Sequence, residues 1–238
     1  VVRVSRRPPR QTQSRHSGAA LAHSTGHREH GPRLNRKNKA VKTPAPLGGN
    51  SLHGRFVALE PLAERHHAGL IEAARAPGIF TYMPFDTSDG FAARLPGFVA
   101  ENARGTMVTY AVRRLADTAI VGSTSYLAIA PEHGRVEIGS TWYAPQAQAT
   151  AVNPEAKYLL LANAFAKGWN RVEFKTDSRN ARSRAALRKL GAREEGTMLG
   201  HMWMPQGYWR DSVYFAILAS DWPDVKAGLE KRLAAFTA

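Results

Sequence analysis

Residues 137–157 read EIGSTWYAPQAQATAVNPEAK, and they divide into a strand, a loop and the start of a helix. Alternation along the strand sets Val136, Ile138 and Trp142 on one face and Glu137, Gly139 and Thr141 on the other. Asn153-Pro154-Glu155 is a helix start. Asparagine offers a capping oxygen, proline at the first helical position forfeits no needed N–H, and glutamate sits near the positive end of the dipole. The loop before it is rich in small residues and can bring its backbone close to a ligand. Exposed N–H groups leading into a helix N-terminus form an anion site. From this segment alone, a surface loop followed by a simple cap reads the same way.

Working outward, strands are expected at 107–114, 119–129 and 135–143, separated by short glycine-bearing or charged turns. Before them lie a strand at 55–62, a helix at 63–74, an irregular aromatic segment at 80–85 (FTYMPF) and a helix at 88–101. After the loop come a helix at 154–167, a strand at 171–176 and a helix at 181–190. Strands at 194–204 and 209–218 follow, with a terminal helix after Asp221-Trp222-Pro223. This order predicts one α+β domain over 49–238, built on a single twisted sheet.

Hydrophobic residues make up 43% of the 238, enough for a sizeable core. No apolar run approaches the ~20 residues of a membrane span, and the first 50 residues hold no apolar core of a secretory signal. The chain has no cysteine, which excludes disulfides, thiolate metal sites and a cysteine nucleophile; we read it as cytoplasmic. The net charge of +14 is uneven: residues 1–50 hold eleven Lys/Arg against one acid, Glu29. Residues 1–48 read as a disordered basic tail ending in a linker at 44–49, and such a tail can attract nucleic acid or ribosomes without sequence specificity. Its histidines, His16, His23, His27 and His30, are scattered and read as solvated, so no metal is expected.

Several motifs together resemble the GNAT acetyltransferase superfamily, and within it the RimJ/RimL-like ribosomal-protein N-acetyltransferases. They are Glu137-Ile138-Gly139-x-x-Trp142 and Thr150-Ala151-Val152-Asn153-Pro154-Glu155-Ala156-Lys157 before a Leu-rich helix. Phe174-Lys175-Thr176-Asp177-Ser178-x-Asn180-x-x-Ser183 continues through Leu187, Leu190 and Gly191-Ala192. Glu195-Gly196 with His201, and Gly207-x-x-Arg210-Asp211-Ser212-Val213, complete the likeness. The resemblance implies a mixed, mostly antiparallel sheet, splayed near its middle, with helices on both faces. It implies acetyl-CoA as cosubstrate, with its pyrophosphate on the backbone of Gln148, Ala149, Thr150, Ala151, Val152 and Asn153. The family's loop commonly reads Arg-Gly-Thr-Gly or Arg-Gly-Thr-Ala, whereas this chain has Gln148-Ala149-Thr150-Ala151. A basic side chain and a glycine are missing, and alanine disfavours positive φ.

Moving an acetyl group from a thioester to an amine needs a neutral amine, a stabilised oxyanion and a proton or hydrogen bond for the leaving thiolate. Ser183 shares a helical stripe with Leu187 and Leu190, which turns its hydroxyl inward. The resemblance implies that Ser183 faces the sulfur and that Asn180 contacts CoA; Asn180 as a helix cap and Ser183 as a packing residue are the alternatives. Glu137 is the first candidate base and His201 the second, each with an ordinary structural role as its rival. Arg210-Asp211 reads as a supporting ion pair or turn contact. Tyr82 and Met83 are expected to wall the acceptor cleft or to pack in the core. With no activated nucleophile in view, direct transfer to a primary amine is expected, whether of a protein N-terminus or of a small molecule. A non-catalytic acyl-CoA-binding domain and a nucleic-acid-binding protein are the rival readings. The chain is expected to be a monomer or homodimer.

Overall fold

The computed structural model describes residues 43–85 and 90–237. The basic tail through residue 42, its histidines and Ser88 lie outside the described residues.

Eight strands form one sheet: β1 (Leu52–His53), β2 (Val57–Pro61), β3 (Val108–Arg114), β4 (Ile120–Ala130), β5 (Arg135–Tyr143), β6 (Arg171–Asp177), β7 (Arg193–Met204) and β8 (Tyr208–Leu218). Their order across the sheet is β1-β2-β3-β4-β5-β6-β8-β7. Every neighbouring pair is antiparallel except β5 and β6. That parallel pair is joined by the helix α3 (Val152–Ala166), the crossover that parallel strands require. The pair holds register only through Arg135↔Arg171, Val136↔Val172 and Glu137↔Glu173. Beyond Glu137 the strands part, while β6 stays paired with β8 as far as Asp177↔Ser212. The expected splay is therefore a fork whose crotch is Glu137.

The sheet separates two apolar layers. Leu160, Leu161 and Ala164 of α3, with Leu187 and Leu190 of α4 (Ala181–Leu190) and Leu229 of α5 (Trp222–Ala234), pack with Val136, Ile138, Phe174 and Phe215. On the other side, Leu70 of α1 (His67–Ala73) and Leu95 of α2 (Leu95–Arg104) pack with Ala111, Phe85, Phe91 and Trp142. Trp142 thus lies on the face opposite Val136 and Ile138, contrary to simple alternation. Ser140 adopts φ 47°, and pairing with β4 shifts between Gly139↔Ser125 and Trp142↔Ser123. This bulge inserts one extra residue and reverses the side-chain alternation beyond it.

Three other expectations shift. The start of each helix before β3 is a 3-10 turn, Glu64–His66 and Phe91–Arg94, and α1 is shorter than expected. β1 was not anticipated. The expected linker at 44–49 packs on the domain instead: Ala45 N donates to Lys167 O, Trp169 Nε1 donates to Ala45 O at 3.1 Å, and Leu47 lies against the core.

Glu155, in the first turn of α3, fixes the helix to the far edge of the sheet. Its buried carboxylate accepts N–H bonds from Arg55 (2.7 Å), Phe56 (2.6 Å) and Val57 (2.7 Å). A Cβ added at Gly54 would lie 2.3 Å from its carboxyl carbon. Removing this acceptor strands three backbone donors, and charged hydrogen bonds are each worth ~1.5–3 kcal/mol. Glu155→Ala should lower unfolding free energy by roughly 3 kcal/mol in urea titrations with an unchanged m-value. A loss below ~1 kcal/mol would show that the clamp is dispensable.

Candidate active site

The loop between β5 and α3 is tied down on both sides. A 3-10 turn at Pro145–Ala147 leads to Gln148, whose Nε2 donates to Tyr143 O at 2.8 Å. Thr150 Oγ1 donates to Ala147 O at 2.8 Å and accepts from Val152 N at 3.3 Å. The threonine, not Asn153, therefore closes the loop onto the helix. α3 begins at Val152 after Ala151, with no side-chain cap, so Asn153 and Pro154 fall inside the first turn. Proline is tolerated there because that turn's N–H groups have no intrahelical acceptor. Ala149 adopts φ 59°, so alanine takes the left-handed conformation that the sequence argued against. The residues on either side of this alanine, Gln148 and Thr150, are held by their side-chain hydrogen bonds. The N–H groups of Ala149, Thr150, Ala151 and Asn153 form no hydrogen bond among the described residues.

A cation stands beside this loop although its own sequence lacks one. Arg182, in the first turn of α4, donates from Nη1 to Gln148 Oε1 at 2.6 Å. Asn180 caps α4 by accepting from Ser183 N at 3.0 Å, which is the capping alternative for that residue. Ser183 is half-buried on the side of α4 that carries Leu187 and Leu190.

The opposite face of the fork is polar. Glu137 is 4% exposed and accepts from Lys175 Nζ at 3.1 Å. Burial pushes its carboxyl above the usual range, with Lys175 opposing. A Cβ at Gly139 would lie 2.9 Å from Glu137 Oε1, so the glycine two residues on leaves the carboxylate its space. From the other side of the opening, Lys157 Nζ donates to Thr141 Oγ1 at 2.8 Å. Burial brings the Lys157 ammonium down to about 7, with Glu137 opposing.

Further along this face, His201 Nδ1 lies 3.0 Å from Ser212 Oγ and its Nε2 lies 3.4 Å from Tyr214 OH. Burial, then Lys175 and Arg210, hold its pKa below the ordinary value, which favours the neutral imidazole. His201 reaches this position because β7 bulges between Met198↔Ser212 and Met202↔Arg210. Gly200 takes φ 53° in that bulge, and its N–H donates to Asp211 Oδ1 at 2.8 Å. Asp211 thus serves the bulge and is not paired with Arg210. Arg210 points to the polar face, is 3% exposed, and its buried Nε has no hydrogen-bond partner.

Tyr82 and Met83 are half-buried in the aromatic segment. Its Phe80 and Phe85 join the core, Phe80 stacking on Phe91 at 5.1 Å. Met83 packs at the edge of the same layer, and Gln206, in the β7–β8 turn, approaches Phe80 O at 3.5 Å. The fold brings together Glu137 and His201 on one face, and the 148–153 loop, Asn180 and Ser183 on the other side of the fork. Sequence reasoning missed Lys157, Lys175 and Tyr214, and did not place Arg182 beside Gln148. Alternation along 171–177 placed Lys175 on the face of Glu173 and Asp177, but nothing local linked it to Glu137, 38 positions away.

A family model described as acetyltransferase (GNAT) domain matches residues 57–193. Among solved structures, a GCN5-related N-acetyltransferase from Brucella melitensis is 28% identical, with a TM-score of 0.75 over 82% of this chain and 90% of that one. A candidate acetyltransferase from T. thermophilus is 36% identical, with a TM-score of 0.70 over 79% and 98%. RimJ from Mycobacterium smegmatis, solved in complex with CoA-disulfide, shares the fold at 23% identity and a TM-score of 0.66, over 77% and 93%. No curated protein matches the chain significantly. Among the described residues, no group of three or more His, Cys, Asp or Glu could hold a metal, and no helix is long and apolar enough to cross a membrane.

The left-handed alanine gives a direct test of loop strain. Such a conformation costs an L-residue roughly 1–2 kcal/mol, part of which a glycine returns through its freer unfolded state. Ala149→Gly should therefore raise stability by about 0.5–1 kcal/mol, measured as the denaturation midpoint. A destabilised variant would show that the loop does not hold this conformation in solution.

Proposed function

The chain belongs to the acetyltransferase (GNAT) domain family, whose cosubstrate is acetyl-CoA, and from that premise we propose direct acetyl transfer to a primary amine in a ternary complex. The observation that carries this reading is the fork between β5 and β6, with an anion-binding loop on one side and a titratable polar face on the other. Parted strands present unpaired backbone groups, and the extended, amide-bearing arm of CoA can pair with them as a strand would. Its pyrophosphate then meets the free N–H groups of Ala149, Thr150, Ala151 and Asn153 at the positive end of α3. Arg182 supplies the cation that Gln148 does not.

In this scheme the amine nitrogen attacks the thioester carbonyl carbon. The carbon–sulfur bond breaks as the amide forms, and the CoA thiolate leaves with a proton or hydrogen bond from Ser183 Oγ. Glu137 takes the proton lost by the amine. Its burial favours the protonated form, which makes it a better base than an exposed carboxylate, and Lys175 opposes that shift by favouring the ionised form. His201, hydrogen-bonded to Ser212, is the second candidate for this proton or for its passage outward. Tyr82 and Met83 form part of the acceptor wall. The acceptor is the amine of a protein N-terminus or of a small molecule; the RimJ likeness supports the first only at the level of fold.

Thiol release from acetyl-CoA across a panel of peptide and small-molecule amines tests the reading. Glu137→Gln should lower kcat/KM by ~10²–10⁴-fold and abolish the fall in rate at acid pH. The sign follows from the role: the base must be ionised, and its raised pKa places that fall above the usual carboxylate range. His201→Gln should leave the acid limb in place; losing it there, and not in Glu137→Gln, would transfer the role to His201. Ser183→Ala should reduce kcat with little change in KM for acetyl-CoA, and unchanged turnover would remove its assigned role. Acetyl-CoA binding without thiol release to any acceptor would favour a binding domain.

Arg182 has its own test. Arg182→Ala should weaken acetyl-CoA binding by about tenfold at low salt, measured by calorimetry, and lessen the salt dependence of that binding. An unaltered affinity would show that the backbone N–H groups suffice.

A further inference from the structure

Arg210 is the charged group on the polar face that the scheme above leaves unused. It lies 3% exposed among polar groups that are hydrogen-bonded to other residues. Asp177 accepts from Tyr208 OH at 2.6 Å and from Arg179 N at 2.8 Å. Glu137 is engaged by Lys175, and Ser212 by His201. None of them accepts from Arg210, whose buried Nε has no partner. The guanidinium does lie in the electrostatic field of Asp177, Glu137 and Tyr214, which offsets part of its burial. A field alone leaves the Nε donor unmet. A buried guanidinium of this kind is costly unless an acceptor completes it.

We infer that Arg210 is the anchor for a carboxylate carried by the acceptor, so that the acceptor is an amino acid or a similar amine bearing an acid on the same small molecule. The planar fork of a guanidinium matches a carboxylate in two parallel N–H···O bonds, which a lone peptide carbonyl cannot supply. Charge placement agrees. Arg210 and Glu137 feel each other's charge across this face. An acceptor with an ammonium at one end and a carboxylate at the other complements that pair, its amine beside Glu137 and its acid on Arg210. The inference rests on the transferase reading and narrows it from any primary amine to one class.

The test uses acceptors that differ in one group. Glycine, β-alanine and γ-aminobutyrate are compared with glycinamide, β-alaninamide and γ-aminobutyramide, which covers three spacings of amine from acid. With the full chain, at least one acid should exceed its amide by about 30-fold or more in kcat/KM. Arg210→Met should bring that ratio close to one, and Arg210→Lys should restore part of it. The dissociation constant for acetyl-CoA checks that each variant is folded. Equal use of acid and amide by the wild type overturns the anchor. So does an equal loss on both in Arg210→Met, which marks a structural residue or a bound water in place of the acid. A peptide amine without a carboxylate that outperforms all three acids also overturns it. Should no acceptor release thiol, the transferase reading fails, and the anchor is judged separately by product-like ligands. In the presence of CoA, N-acetylglycine, N-acetyl-β-alanine or N-acetyl-γ-aminobutyrate should then raise the melting temperature of the wild type. Its amide should not, and Arg210→Met should lose the difference; no such difference overturns the anchor.

Discussion

The parting of β5 and β6 is the constraint around which the rest of the molecule is arranged. Backbone N–H and C=O groups seek partners wherever water is excluded, and a sheet that divides in mid-course leaves two edges without them. The division is sharp here: register holds through Glu137↔Glu173 and stops, while β5 continues to Tyr143 and β6 to Asp177. Each edge is braced from its outer side, β5 by β4 and β6 by β8. The fork can stay open because its two prongs belong to separately stabilised halves of the sheet. The bulge at Ser140 falls on the free prong, where added twist carries β5 away from β6.

α3 spans the fork, and its placement joins the halves. Glu155 fixes its first turn to the β1–β2 turn at one edge of the sheet. Two residues on, Lys157 reaches Thr141 on the free prong. One helical turn thus secures the sheet edge and lines the opening. The loop feeding that turn is strained at Ala149 but closed by Thr150 and held by Gln148. Gln148 also receives Arg182 from α4. A basic residue absent from the loop in sequence is therefore restored in space from a helix more than thirty positions later.

The reach of sequence reasoning follows the range of the interactions involved. Arg135–Tyr143 and Ala181–Leu190 were legible to the residue, because alternation, the Asn180 cap and the left-handed Gly191 are local signals. The face of Trp142 was not, because the Ser140 bulge depends on how β4 meets β5, and no residue type announces it. The start of α3 was misplaced for a related reason. Asn153-Pro154 is a good local signal, but Thr150 and Ala147 complete a tighter closure upstream. The position of His201 depends on the Gly200 bulge and on Asp211, a contact across two strands. Glu137, Ser183 and the 148–153 loop were singled out as types in a pattern. The contacts of Lys175 with Glu137 and of Arg182 with Gln148 were not legible, because each joins two different elements.

Charge on the polar face explains why so many ionisable groups gather at one fork. A neutral amine is needed for attack, yet an amine arrives at neutral pH mostly as an ammonium. In the proposed transfer, a buried carboxylate such as Glu137 favours the arriving cation and, once it holds the proton, becomes a neutral acid that burial prefers. Lys175 offsets the carboxylate before substrate enters, so Glu137 itself is not left unpaired. Lys157, whose pKa burial lowers to about 7, carries less positive charge at neutral pH than an ordinary lysine and repels the incoming amine less. Arg210 cannot lose its charge in this way, since a guanidinium stays protonated throughout this range. A permanently charged donor set into a face otherwise built from adjustable groups is suited to a substrate charge that is also permanent. A carboxylate keeps its charge throughout the transfer, whereas the amine loses its own.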